Sequence, residues 1–326
     1  MKSLPALLKK IAGRRLLVIG DVILDRYLWG DATRLSPEAP VPVVHILRES
    51  ETMGGAANVA NNIAALGARV EVVGAVGNDD NGRKLLKSFS KNGIEFDPRF
   101  VKRRFRTIAK IRVVVRNQQL CRLDYEEPRG ETVFDRRRFD LLEAKIRQAD
   151  GVILSDYAKG MFNTQVVRQI TDLARAHKKF IALDPKPAND ITFKDLDLIT
   201  PNRHEAIELS GLKFPAEGSV DLAAVCARIW DEYRPRNLVI TLGADGMLTS
   251  HQGDVVHRIA TAARAVYDVS GAGDTVIAAL TLALTSGATL EHAAHFANAA
   301  AGVVVGKLGT ATVTPDEMLA YVNHPS

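Results

Sequence analysis

Cysteine is almost missing from this chain: Cys121 and Cys226 are the only two in 326 residues, far apart and outside any CxxC-like cluster. That excludes a disulfide framework and fits a reducing compartment, the cytoplasm. Long apolar runs are missing too. The opening MKSLPALLKKIAGRRLLVIG is broken by lysines and arginines, so it matches neither a signal peptide nor a membrane span. There is no repeat, low-complexity tract or long linker. The basic run RFVKRRFR (99–106) has no aromatic-basic RNA motif, zinc finger or helix-turn-helix pattern beside it. It reads first as solvated surface, second as a contact for a small phosphorylated ligand, and last as a nucleic-acid patch. His292 and His295 share helical spacing but no third ligand is evident, so a metal site is not inferred from them.

What is present is ordinary for a globular protein with a substantial core: 46% hydrophobic, 25% charged, and a net charge of +5 that leaves room for an anionic partner. Strand-like and helix-like segments alternate from end to end, which predicts an α/β fold, mostly parallel, in one domain spanning 1–326. Strands are predicted at RRLLVIGD, at ARVEVVGAVG (68–77), GVILSD (151–156), KFIALD (179–184), LDLIT (196–200) and NLVITLG (237–243). Two segments depart from the rhythm. Residues 22–47 carry three prolines between strand-like ends, and residues 107–127 alternate and break at RNQQ, as a hairpin does. Together they predict a small accessory sheet, serving as a lid or as the contact between two subunits of a homodimer.

In an open parallel sheet, ligands bind beyond the carboxyl ends of the strands. Polar and glycine residues gather there: Asp21 and Asp25, Asp156 in SDYAKG, Asp184 and Lys186 in DPKP, Asn202 and Glu205 in TPNRHE, Thr241 and Gly243 in TLGADG. The run DVSGAGDT (268–275) has the small residues that let backbone amides approach an anion, and it leads into the alanine-rich TVIAALTLAL. A P-loop would finish with Lys and Ser or Thr; here the glycines lead to Asp274. A carboxylate at an anion cradle is useful one step away, taking the proton of the hydroxyl that attacks phosphorus while the amides of Gly271, Ala272, Gly273 and Asp274 offset charge on the transferred group. Taken alone, Asp274 is equally a first-turn aspartate that caps its helix.

GGAAN (54–58), TPNRHE, TLGADGM and DVSGAGDT resemble, in the same order along the chain, the signatures of the ribokinase-like (PfkB) carbohydrate kinases, and the resemblance runs over roughly 14–316. Within that family, GDVILDRYLWGDATRLSPEAPVPVV, RNQQLCRLDYEE, SDYAKG, DPKP and NAAAGVVVGKLGTATV resemble the subgroup acting on D-glycero-β-D-manno-heptose 7-phosphate in ADP-heptose and lipopolysaccharide core synthesis. The resemblance implies a ribokinase-like sheet with a β lid, and ATP with Mg²⁺ phosphorylating the C1 hydroxyl. It makes Asp274 the base, and assigns Asp25, Gly54, Gly55 and Asn58 to sugar hydroxyls and Asp156 to the sugar site. Asn202 and Glu205 would organise magnesium and phosphates, Glu205 partly through water. Thr241, Gly243, Gly246 and Asn298 would line the nucleotide pocket, while Asp268 and Ser270 would stand where relatives bind a monovalent cation such as K⁺. For the sugar's own phosphate the candidates are Lys186 first, then Arg112 and Lys110, two apart on a lid strand, and Arg34. A separate protein is expected to supply the later nucleotidyl transfer; neither nucleic acid nor membrane is expected as a partner. Alternatives are a PfkB-type kinase for another sugar, or a catalytically silent sugar-binding relative.

Overall fold

The computed structural model describes residues 4–116, 118–126, 134–213 and 220–323. Its strands are, in chain order, β1 (Arg15–Gly20), β2 (Val22–Leu35), β3 (Pro42–Gly55), β4 (Arg69–Val73), β5 (Val76–Gly77), β6 (Glu95–Phe96), β7 (Val101–Lys102) and β8 (Ala109–Val115). They continue with β9 (Gln118–Tyr125), β10 (Gly151–Ser155), β11 (Phe180–Asp184), β12 (Leu198–Ile199), β13 (Asn237–Thr241), β14 (Met247–His251) and β15 (Asp254–Ile259).

Nine strands form the main sheet, in the order β15-β14-β13-β12-β11-β10-β1-β4-β6. Pairing is parallel from β6 to β13, and the β14–β15 hairpin adds an antiparallel edge. Strand β1 shows why the sheet sits between two helical layers. Leu16 and Val18 join one apolar cluster, with helices Ala56–Ala65, Ala272–Thr285 and Leu290–Val304, while Leu17 and Ile19 join the other, with helices Arg136–Gln148, Thr164–Ala176 and Leu222–Tyr233. A strand buried on both faces reads as a continuous apolar run, as RLLVIG does. The helix Ala272–Thr285 is buried at every position from Asp274 to Ala283, as a helix apolar all round must be. Among the described residues, no helix is long and apolar enough to cross a membrane.

The chain leaves β1 toward β4 on one side and returns through β10 on the other, so the reversal of strand order lies between β1 and β10. Crevices at such a point receive ligands. Above it stands the second sheet, ordered β3-β2-β8-β9, which is the predicted accessory sheet. Its first hairpin is longer than expected: β3 keeps its pairing as far as Gly55 opposite Val22, eight residues beyond 47. The predicted strand over 68–77 divides. A Cβ at Gly74 would lie 2.5 Å from the Gly20 carbonyl, so the chain passes close under β1 there, and Val76–Gly77 pairs with β7 instead. LDLIT contributes only Leu198 and Ile199. Asn117 of the expected RNQQ turn and Glu127 lie outside the described residues.

Candidate active site

Gly271 starts the Ala272–Thr285 helix in the left-handed region, at φ 79°, and its lack of a Cβ admits a neighbour: a Cβ would sit 2.5 Å from the Asn58 amide nitrogen. Asp274, three residues on, is 4% exposed. Its side chain accepts from Asn58 Nδ2 at 2.7 Å and from Tyr157 Oη at 2.5 Å, and no side chain caps the start of this helix. The capping alternative therefore falls, because both carboxylate oxygens turn to groups outside the helix. Asn58 is itself fixed from behind: Thr275 Oγ1 donates to Asn62 Oδ1 at 2.8 Å, and Asn62 Nδ2 donates to the Asn58 carbonyl at 2.9 Å. Burial pushes the Asp274 carboxyl up to about 6; the Tyr157 and Asn58 hydrogen bonds pull the other way, and the nearby Asp25 carboxylate adds to the rise. Such a group is ionised at neutral pH yet basic enough to take a proton.

The anion cradle is narrower than expected. The Ala272 amide is already bonded to the Val269 carbonyl at 3.2 Å, so Gly271, Gly273 and Asp274 are left to offer amides. A Cβ at Gly273 would meet nothing within 4 Å, which leaves the approach to those amides open.

Tyr157 escaped the sequence reading although SDYAKG did not: the strand-end rule singled out Asp156, and the phenol's role depends on a loop fold no local pattern announces. Asp21 shapes that loop, accepting from the amides of Tyr157 (2.9 Å), Lys159 (3.1 Å) and Met161 (3.1 Å). Asp156 also holds the loop. It is 4% exposed and takes the Ala158 amide at 2.8 Å and the Asn189 side chain at 3.0 and 3.1 Å, so it ties the loop to the 187–189 turn.

On the lid, Asp25 is 6% exposed and accepts from Arg112 Nη1 at 2.5 Å. The two glycines of GGAAN make room for the protein itself: a Cβ at Gly54 would be 2.2 Å from Asp25 Oδ2, and one at Gly55 (φ 58°) would be 2.4 Å from the Asp21 carbonyl. Asn58 is fully buried with its amide nitrogen on Asp274, so here it positions that carboxylate. Arg34 does not join the cleft. It is exposed and lies nine residues past Asp25 on a continuous strand, roughly 30 Å away along it.

At the other end of the cleft, Asn202 and Glu205 form a reciprocal capping box: Asn202 Oδ1 accepts from the Glu205 amide at 3.0 Å, and Glu205 Oε2 accepts from the Asn202 amide at 2.9 Å. Glu205 Oε1 remains, and Lys186 Nζ donates to it at 2.7 Å. Lys186, expected at the far end of the sugar, thus stands beside the NxxE motif. Asp184 ends β11 between these groups. Burial first, then the Asp274 and Glu205 carboxylates, hold its carboxyl well above the usual range. Thr241 closes β13 and bridges to Asn202. Gly243 and Gly246 have φ 62° and 83°, and a Cβ on Gly246 would strike the Ile259 carbonyl at 2.0 Å. Asn298 is 7% exposed and spends its side chain on the backbone, donating to Ala260 O at 2.7 Å and accepting from the Ala262 amide at 3.4 Å, so it builds the pocket wall from behind. Asp268 accepts the Ser270 amide at 2.9 Å and the Gly309 amide at 3.0 Å; despite burial, these bonds hold its carboxyl below the usual range.

The site unites a buried carboxylate, backbone donors and an acidic far wall beneath the smaller sheet, which suits phosphoryl transfer to a hydroxyl. Known proteins agree. The sequence profile of the pfkB family carbohydrate kinases matches residues 14–317. "Bifunctional protein HldE" of Trichlorobacter lovleyi is 41% identical over 325 residues, covering 99% of this chain and 65% of that protein. The protein of the same name from Helicobacter pylori strain J99 is 40% identical over 316 residues, covering 96% of this chain and 67% of its own length. The chain therefore spans about two thirds of the length of these relatives. Among solved structures, Arabidopsis thaliana ribokinase complexed with ribose and ATP superposes with a TM-score of 0.76 at 19% identity, covering 96% of this chain and 99% of that one. The chain belongs to the pfkB family of carbohydrate kinases and is a phosphotransferase that uses ATP on a sugar hydroxyl.

Proposed function

We propose that the sugar is D-glycero-D-manno-heptose 7-phosphate and that the product is the 1,7-bisphosphate, on the way to ADP-heptose. The segment resemblances given above favour this sugar over other PfkB substrates. The observation that carries the chemistry is the buried Asp274 carboxylate, held between Asn58 and Tyr157 at the head of the glycine turn. In the reaction Asp274 accepts the C1 hydroxyl proton, the C1 oxygen bonds to the γ-phosphorus, and the bond from that phosphorus to the bridging oxygen breaks, releasing ADP. The remaining amides of the turn face the charge that grows on the phosphoryl oxygens. Asp25 holds sugar hydroxyls, and Thr241, Gly243 and Gly246 border the nucleotide.

Asp184 and Glu205 are hard oxygen donors whose crowded negative charge is met here by Lys186, and they fit Mg²⁺. Bound there, magnesium would neutralise phosphate charge. Asp268, an ionised carboxylate, is the candidate for a monovalent cation. The lid leaves Leu35, Val41, Leu47, Leu120 and Leu123 exposed, which supports pairing of two copies through it.

The test is ATP consumption with heptose 7-phosphate, ribose, fructose 6-phosphate and adenosine, for wild type and Asp274→Asn. Turnover of the heptose alone, lost in the variant, is expected. Faster turnover of another acceptor would replace the substrate, and an active variant would remove the base.

A further inference from the structure

We infer that Lys110, backed by Lys159, receives the phosphate carried by the acceptor sugar. This deepens the sugar-phosphate reading above and rests on it. Residues directly opposite one another on neighbouring strands share a face. Register across β2, β8 and β9 places Asp25, Lys110 and Asp124 in one row, and Tyr27, Arg112 and Arg122 in the next. Both carboxylates of the first row are taken by arginines of the second: Arg112 bonds Asp25 at 2.5 Å, and Arg122 bonds Asp124 at 2.7 and 2.9 Å. Lys110, between them, is half-buried and makes no hydrogen bond or ion pair among the described residues. Lys159, on the SDYAKG loop, pairs with Glu126 at 2.5 Å at the end of β9.

A half-buried ammonium with no partner is costly, so the face holds one cation more than its own anions satisfy. Burial pushes the Lys110 pKa down, and Lys159 and Arg122 push it the same way against Asp25 and Asp124. A dianion placed between Lys110 and Lys159 would relieve all three effects. The position suits a sugar that spans the cleft. Asp25 is close enough to Asp274 to raise its pKa, and Lys110 stands directly opposite Asp25, about 5 Å further across the sheet. Arg112 is occupied by Asp25, Arg34 is remote, and Lys186 faces Glu205, so of the four candidate cations Lys110 alone stands beside Asp25 with no ion-pair partner among the described residues.

The experiment compares kcat/KM for heptose 7-phosphate and for unphosphorylated heptose in wild type, Lys110→Met, Lys110→Arg, Lys159→Met and, as a control for lost charge, the exposed Lys91→Met. Loss of one charge-assisted contact predicts that the phosphorylated-to-unphosphorylated ratio falls on the order of 10- to 100-fold in Lys110→Met. A smaller fall is expected in Lys159→Met, partial retention in Lys110→Arg and no change in Lys91→Met. An unchanged ratio in Lys110→Met, or a rise in its KM for ATP equal to that for the sugar phosphate, overturns the assignment. If Lys110→Met does not fold, Lys159→Met carries the same test. If wild type uses neither heptose, the substrate reading falls separately, and thermal protection by inorganic phosphate decides the site: protection lost in Lys110→Met upholds it, and equal protection overturns it.

Discussion

Asp274 is an acid buried where a neutral side chain would fit more cheaply. Its carboxyl sits at about 6 when folded against 3.8 for the free group. Between those values the native state binds the extra proton, so the folded protein loses stability as pH rises toward 6, and above it the full cost, about 1–3 kcal/mol, is present. Asp274→Asn removes that charge. Its carbonyl can still accept from Asn58 and its amide can donate to the Tyr157 oxygen. The variant is expected to lose about 10²–10⁴-fold in kcat while melting higher than wild type at pH 8, with a smaller gap at pH 5. Melts at both pH values check this. For wild type, kcat/KM should rise through a limb near pH 6. Tyr157→Phe deletes a donor to the ionised form, so that limb should move to higher pH and kcat should drop about tenfold. A pH profile of both proteins decides it, and an unmoved limb would mean that Tyr157 does not act on the base.

At the scale of elements, two short motifs do double duty. The NxxE box closes the start of the Arg203–Ser210 helix and aims the remaining Glu205 oxygen at Lys186. Asn202→Ala is expected to cost about 1 kcal/mol in stability and to raise the KM for ATP together with it. GGAAN ends a strand, starts a helix and leaves the gap that Asp25 fills. Gly54→Ala should therefore displace Asp25 and raise the sugar KM several-fold with little effect on ATP, as titrations of each ligand would show. The strands of the main sheet were legible because an apolar run bounded by polar turns records burial on both faces. The break at Gly74 was not, since its cause is the Gly20 carbonyl, a group more than fifty residues away. The same holds for Tyr157, Asn298 and Asp156, whose duties are set by partners that only the fold brings near. Asp274 and the glycine turn were readable because the turn and its carboxylate are built from consecutive residues.

Across the whole molecule, the two sheets meet over the point where strand order reverses, and the lid sets Asp25 near Asp274 while leaving Leu35, Leu47, Leu120 and Leu123 exposed. If those leucines bury against a second copy, Leu47→Glu should shift the protein toward monomer in sedimentation or light scattering, while a protein already monomeric before the change would refute pairing through the lid. The SDYAKG loop joins both halves of this design. Its backbone hangs from Asp21, its phenol reaches the base and its lysine reaches Glu126 on the lid. Weakening that one anchor would slacken the proposed proton acceptor and the proposed anion clasp together, so a defect that kinetics would score as loss of two contacts can arise at a side chain that meets neither ligand.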